Sequence, residues 1–104
     1  MKRIVLFCSA GMSTSLLVTR MKKVAEAKGI DVSIDAFPEV DMQKQLDEEQ
    51  VDVVLIGPQI KYLLKKLKKL CDEKDVPISV INYIDYGMMD GEKVLNQALE
   101  MMEK

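Results

Sequence analysis

Short apolar runs alternate with segments of helical periodicity along the whole chain. The first and third runs are continuous, as in strands buried on both faces of a sheet, and the second alternates apolar with polar residues. The runs typical of strands are 2–7, 31–37, 51–56 and 77–82. Helical spacing of apolar residues predicts helices at 13–28, 40–49, 58–72 and from 91 to the C-terminus.

Strands and helices therefore follow one another as β-α-β-α-β-α-β-α. This alternation is typical of an α/β domain with a parallel sheet, helices on both faces and right-handed crossovers. With the strand order 2-1-3-4, the strand order reverses between strands one and three, which is a topological switch point. In such sheets ligands bind at this point, beyond the carboxyl ends of the strands. We therefore expect the segment that starts at Cys8 to meet Gly57-Pro58-Gln59.

The segment between the first strand and the first helix is suited to binding an anion. Its residues are small or hydroxylic apart from Met12, so successive backbone N–H groups can converge on one ligand. The helix that follows adds unpaired N–H groups and the positive end of its dipole, and its hydroxyl side chains can cap the helix or bind phosphate oxygens. The predicted phosphate-binding residues, in a loop that resembles a P-loop, are Ser9, Ala10, Gly11, Met12, Ser13, Thr14 and Ser15.

Cys8 lies at the mouth of this predicted loop. The same dipoles favour its thiolate, which is both a good nucleophile and a good leaving group. Taken singly, a cysteine after a strand is usually a small buried hydrophobic residue, and a Ser/Thr/Gly stretch is usually a turn and a cap. Their coincidence at the expected crevice favours a cysteine that handles phosphate.

Motif residues that the sequence lacks exclude some classes of phosphate chemistry. A cysteine phosphatase has an arginine six residues after its cysteine, which grips the transferred phosphoryl group, and here that position is Thr14, with Arg20 further along the helix. Without the arginine, hydrolysis should be slow and a phosphocysteine should persist, as a carrier requires. Cys8 and Gly57 replace the carboxylates of an aspartate receiver, and no GK[ST] of a Walker A motif is present.

Composition sets the remaining limits. The 104 residues suit one domain over 1–104, and a net charge of −2 gives no general attraction to nucleic acid. No apolar run approaches the roughly 20 residues of a membrane span, so we expect a cytoplasmic chain with Cys8 and Cys71 as free thiols. Histidine is absent, which removes phosphohistidine and most zinc sites, and neither a metal nor a cofactor is expected.

Four segments closely resemble the IIB components of lactose/cellobiose (chitobiose)-type, phosphoenolpyruvate-dependent sugar phosphotransferase systems (PTS). They spread over nearly the whole chain, and the first and third are specific. They are IVLFCSAGMSTSLLV at 4–18, DAFPE at 35–39, VDVVLIGPQIKY at 51–62 and YGMMDGEKVL at 86–95.

This resemblance implies a flavodoxin-like, four-stranded parallel α/β domain, similar to low-molecular-weight cysteine phosphatases. It implies a protein-phosphohistidine–sugar phosphotransferase in which Cys8 is phosphorylated. Cys8 would accept the phosphoryl group from a phosphohistidine of a IIA component and donate it to a sugar held by the membrane component IIC. The sugar would be a β-disaccharide such as cellobiose, chitobiose or lactose, and the backbone from Ser9 to Ser15 would bind the phosphate.

Transfer between proteins also requires a docking surface around the thiol. The candidates are Met12, Leu16, Pro58, Gln59 and Tyr83, on a chain that we expect to be a monomer. For Leu16 a core position, and for Met12 a gap-filling role, remain alternatives.

Three further features have simple structural interpretations. Asp85 is interpreted as a solvated loop residue rather than a proton donor, and Cys71 as a core residue. The lysines of 61–69 are interpreted as a solvated face rather than a membrane contact.

Two other functions remain open. One is a small cysteine-dependent phosphatase or arsenate reductase on a similar loop. The other is a binding module for phosphorylated ligands in which Cys8 takes no part.

Overall fold

A parallel sheet, with its strands in the predicted order 2-1-3-4, forms the centre of the molecule. The computed structural model describes residues 1–9 and 12–103, without the side chains of Met12 and Ser13. The strands are β1 (Lys2–Cys8), β2 (Val32–Pro38), β3 (Val53–Ile56) and β4 (Ile78–Val80). All three strand pairs are parallel, so the carboxyl ends of β1 and β3 lie side by side.

Within residues 1–9 and 12–103, five α-helices connect and cover the strands. They are α1 (Met12–Lys28), α2 (Met42–Glu48), α3 (Leu64–Glu73), α4 (Tyr83–Gly87) and α5 (Gly91–Met102), with 3-10 segments at Glu39–Asp41 and Pro58–Leu63. None of these helices, within the part of the chain that is described, is long and apolar enough to cross a membrane.

The two faces of the sheet carry separate cores, because successive residues of a strand point to opposite faces. Ile4 and Leu6 of β1 pack with α1 and α5, whereas Val5 and Phe7 pack with α2 and α3. All four side chains are fully buried. This explains the continuous apolar run at the start of the chain, which is buried on both faces as predicted.

The structure departs from the predicted elements in the second half of the chain. The helix predicted from Pro58 begins instead as a 3-10 segment with non-helical dihedral angles at Ile60 (φ −114°, ψ 22°), and α3 starts only at Leu64. Proline at the first position suits either helix type, because it has no N–H to leave unpaired. The helix predicted at 40–49 is likewise divided into a 3-10 turn and α2.

Helix α4 was not predicted. The side chain of Asn82 caps it by accepting hydrogen bonds from the N–H groups of Ile84 and Asp85, at 3.0 and 3.1 Å. The interpretation of Asp85 as a solvated loop residue is therefore wrong, since Asp85 lies inside α4 and is half-buried.

Candidate functional site

Cys8 ends β1 beside the end of β3, as the strand order predicts. The N–H of Gly57 donates to the carbonyl oxygen of Phe7 at 2.9 Å. A Cβ atom placed on Gly57 would lie 3.6 Å from the Cβ atom of Cys8, which is ordinary van der Waals contact. The two segments that the sequence predicted to meet are therefore neighbours at the carboxyl edge of the sheet.

The predicted phosphate loop is described at its two ends. Cys8 is 4% exposed and Ser9 is exposed. Ala10 and Gly11 lie outside the described residues, as do the side chains of Met12 and Ser13. Helix α1 begins four residues after Cys8, so the chain passes from the cysteine to a helix N-terminus within one short connection.

Thr14 anchors the far end of this loop inside the protein. Its side chain is fully buried, and its hydroxyl oxygen lies 3.5 Å from the hydroxyl oxygen of Tyr86. The amide Nε2 of Gln59 donates to the same Tyr86 oxygen at 3.1 Å. Tyr86, itself only 4% exposed, thus connects the first turn of α1 with the segment that follows β3. Sequence reasoning named Thr14 and Gln59 but gave Tyr86 no role.

The remaining docking candidates with described side chains lie at the surface. Leu16 is 49% exposed, so the alternative that places it in the core is wrong. Tyr83 is 80% exposed, Gln59 is exposed and Pro58 is half-buried. Ser15, the last residue of the predicted loop, is also exposed.

A groove of about 650 Å³ adjoins Gln59. Two of its apolar side chains, Ile84 and Met88, were not named among the docking candidates, and they are 66% and 71% exposed. Ile84 lies in the unpredicted helix α4 and Met88 directly follows it. Exposed apolar patches of this kind are a recurrent mark of a contact surface. The groove is lined by Pro58, Gln59, Lys61, Val80, Ile81, Tyr83, Ile84, Gly87 and Met88.

Arg20, the arginine of α1, is occupied away from the cysteine. Its Nη1 donates to the carbonyl oxygen of Met89 at 3.1 Å, at the turn between α4 and α5. The described structure thus agrees with the sequence, which places no arginine at the phosphatase position of the loop.

The second thiol has the structural position that was predicted for it. Cys71 lies on the buried face of α3, in the core, and neither cysteine forms a disulfide bond. Burial, together with the nearby charge of Asp72, raises the pKa of Cys71 to about 11. The lysines of the same region are exposed, as predicted, and Lys68 pairs with Asp72. Among the described residues, no cluster of His, Cys, Asp or Glu could hold a metal ion.

Comparison with protein families gives a match over most of the chain. The model of the family "PTS system, Lactose/Cellobiose specific IIB subunit" matches residues 3–97. The oligo-beta-mannoside-specific EIIB component of Bacillus subtilis (strain 168) is 46% identical over 102 residues, covering 98% of this chain and 97% of that protein. The cellobiose-specific EIIB component of Lactococcus lactis subsp. lactis is 42% identical over 104 residues, covering 97% and 96%.

Solved structures of IIB components are also similar to this chain. The solution structure of the cellobiose-specific phosphotransferase IIB component from Borrelia burgdorferi is similar, with a TM-score of 0.80, 43% identity and coverage of 98% of this chain and 92% of that one. The lactose-specific IIB domain from Streptococcus pneumoniae has a TM-score of 0.82 with coverage of 96% of each chain. Its identity is 14%, so that likeness shows the fold alone.

Proposed function

The chain belongs to the lactose/cellobiose-specific IIB subunits of the sugar phosphotransferase system, and on that premise we propose that Cys8 is the residue that carries the phosphoryl group. IIB components act in phosphotransfer during sugar uptake, together with IIA and membrane IIC components. The observation that carries the proposal is the position of Cys8, at the carboxyl end of a central strand, beside Gly57 and four residues before a helix N-terminus.

Two displacements at phosphorus make up the proposed cycle. In the first, the Cys8 thiolate attacks the phosphohistidine of IIA, so that an S–P bond forms as the N–P bond breaks. In the second, a sugar hydroxyl held by IIC attacks the same phosphorus, the S–P bond breaks and the thiolate leaves, while the hydroxyl proton passes to a base at the sugar site. Both steps need attacking and leaving atoms in line, with little covalent help from side chains.

Backbone N–H groups from Ser9 to Ser15 supply the charge stabilisation in this proposal. Preorganised N–H donors and a helix N-terminus favour the negative charge of a transferring phosphoryl group. No arginine completes the loop, and Arg20 donates to Met89 instead. The phosphocysteine should therefore hydrolyse slowly and persist long enough for a second protein to receive the phosphoryl group.

Docking of the partners has to bring a donor onto a sulfur that is largely covered. Cys8 is 4% exposed, so we expect its sulfur to become more accessible when IIA binds. The proposed docking surface combines Met12, Leu16, Pro58, Gln59 and Tyr83 with the newly identified Ile84 and Met88. Adaptable apolar side chains suit a surface that meets two different partners in turn.

Several finer points belong to the same proposal. The sugar is a β-linked disaccharide or short oligosaccharide, supported by the names of the cellobiose- and oligo-beta-mannoside-specific relatives. The chain acts as one domain and as a monomer in the cytoplasm, and its two free thiols suit that reducing compartment.

Mass spectrometry of the intact chain and its peptides tests the proposal. After incubation with phosphoenolpyruvate and the upstream proteins, we expect one phosphoryl group on the peptide that contains Cys8. Cys8→Ser should abolish this thiol-bound label, whereas Cys71→Ser, the matched control, should retain it. A label on any other residue would overturn the assignment, and sustained hydrolysis of an aryl phosphate would favour the phosphatase alternative.

A further inference from the structure

We propose that Tyr86 is a positioning residue for phosphoryl transfer, which acts by holding the hydroxyl group of Thr14 in place within the predicted phosphate loop. This inference rests on the proposed function of Cys8. Tyr86 lies 72 positions from Thr14 in the chain, and the fold brings their hydroxyl groups together.

The contacts of Tyr86 join three parts of the site. Gln59 Nε2 can only donate, so the Tyr86 oxygen accepts at 3.1 Å. The distance of 3.5 Å between the hydroxyl oxygens of Tyr86 and Thr14 is long compared with the roughly 2.7–2.8 Å of a strong bond between hydroxyls. Hydrogen bonds of transfer sites are often long without substrate and tighten when the reacting group is bound. We therefore expect the Thr14 contact to shorten in the phosphorylated protein.

Hydrogen bonds hold the N-terminal end of helix α4, which carries Tyr86. Asn82 caps its start. Gln97 of α5 donates from Nε2 to the Val80 carbonyl oxygen at 2.9 Å, and its Oε1 accepts from the N–H of Asn82 at 3.2 Å. A five-residue helix has little stability of its own. These bonds to β4 and α5 keep the Tyr86 hydroxyl at a defined position, as a positioning residue requires.

Stability alone does not account for this pair of hydroxyl groups. A phenylalanine at position 86 and a valine at position 14 would fill nearly the same buried space without a polar atom that needs a partner. Buried hydroxyl groups cost free energy unless they are hydrogen-bonded. Because Thr14 belongs to the predicted phosphate loop and lies in the first turn of α1, a fixed hydroxyl there can donate to an oxygen of the phosphoryl group.

The experiment compares Tyr86→Phe with Tyr62→Phe, which removes the same hydroxyl from an exposed tyrosine. Two quantities are measured: the rate at which phosphorylated IIA labels Cys8, and the ³¹P chemical shift of the isolated phosphoprotein. Loss of the contact that fixes the Thr14 hydroxyl predicts that Tyr86→Phe slows labelling roughly 3- to 10-fold. It should also move the ³¹P resonance. Tyr62→Phe should change neither quantity.

A double-mutant cycle separates positioning from mere packing. If Tyr86 acts through Thr14, then Tyr86→Phe should have little further effect on the ³¹P shift in a Thr14→Val background. Thr14→Ser, which keeps the hydroxyl, should behave more like the wild type than Thr14→Val. Gln59→Ala, at the surface, tests the same network without altering the core and should move the ³¹P resonance of the isolated phosphoprotein.

Each failure has a different meaning. Wild-type labelling and an unchanged ³¹P resonance in Tyr86→Phe would overturn this inference and leave Cys8 as the carrier. If Tyr86→Phe does not fold, an unchanged resonance in Gln59→Ala would overturn it. Absence of label on Cys8 in the wild-type protein would overturn the proposed function and this inference with it.

Discussion

Gly57 leaves room for the side chain of Gln59: a Cβ atom at position 57 would lie only 2.6 Å from Gln59 Oε1. Glycine is not needed there for its backbone, because φ −65° and ψ 148° suit any residue. It is the space that matters, since the same Gln59 amide donates to Tyr86.

Gly57→Ala should therefore disturb the site without unfolding the protein. The added methyl group displaces the flexible end of Gln59 and breaks its bond to Tyr86. We expect labelling of Cys8 to slow to about the extent seen with Gln59→Ala, roughly 3- to 10-fold. In a Gln59→Ala background the clash is gone, so Gly57→Ala should add nothing; an equal additional loss there would contradict this explanation.

Gly91 allows α5 to approach α1 closely. A Cβ atom at this position would lie 2.7 Å from the backbone carbon of Arg20 and 2.8 Å from the nitrogen of Met21. Backbone atoms cannot move aside cheaply, so Gly91→Ala should destabilise the protein by about 1–3 kcal/mol in urea unfolding. Gly87→Ala is the matched control, because nothing lies within 4 Å of a Cβ atom there. A similar loss in both variants would disprove the packing argument.

The two thiols should differ strongly in alkylation. Burial keeps the pKa of Cys71 at about 11, so roughly one Cys71 thiol in a thousand is ionised at pH 8, and its side chain is fully buried. Cys8 retains some exposure, at 4%, and lies four residues before the start of α1. We expect iodoacetamide to modify Cys8 well before Cys71, as followed by peptide mass spectrometry. Equal rates would show that the loop does not activate Cys8.

The pKa of Cys71 also predicts a pH dependence of stability. The folded state holds the Cys71 proton up to about pH 11, whereas the unfolded thiol loses it near its ordinary pKa of 9.0. The resulting stabilisation is complete below pH 9 and is lost as the pH rises from 9 to 11, at up to about 1.4 kcal/mol per pH unit. Urea unfolding of the wild type and Cys71→Ala measures it: the stability difference between them should shrink over that interval. A constant difference would refute the prediction.

Much of the fold could be predicted from local patterns. The continuous apolar run of β1 is buried on both faces of the sheet, and the apolar stripes of α1 and α5 bury one side of each helix. Both patterns are visible without a structure. The alternation of elements predicts a parallel sheet with right-handed crossovers, and the strand order 2-1-3-4 on which the position of the site was predicted is the order observed. Gly29 ends α1 with φ 67°, a conformation that glycine adopts without strain.

Short elements of secondary structure could not be predicted from the pattern of apolar residues. Helix α4 has five residues, fewer than two turns, so no periodicity distinguishes it, and its cap Asn82 was assigned to the preceding strand. The 3-10 segment after β3 has the same apolar spacing as an α-helix, and the difference lies in the backbone angles at Ile60.

The sequence by itself determined that a cysteine ends a buried strand, that small and hydroxylic residues follow it, and that no arginine completes the loop. Those are properties of neighbouring residues, and their chemistry does not depend on the rest of the chain. Only the tertiary structure decided that the Tyr86 hydroxyl lies between Gln59 and Thr14. Contacts across tens of residues depend on how the helices pack on the sheet, and a difference of about 1 Å there separates a hydrogen bond from none.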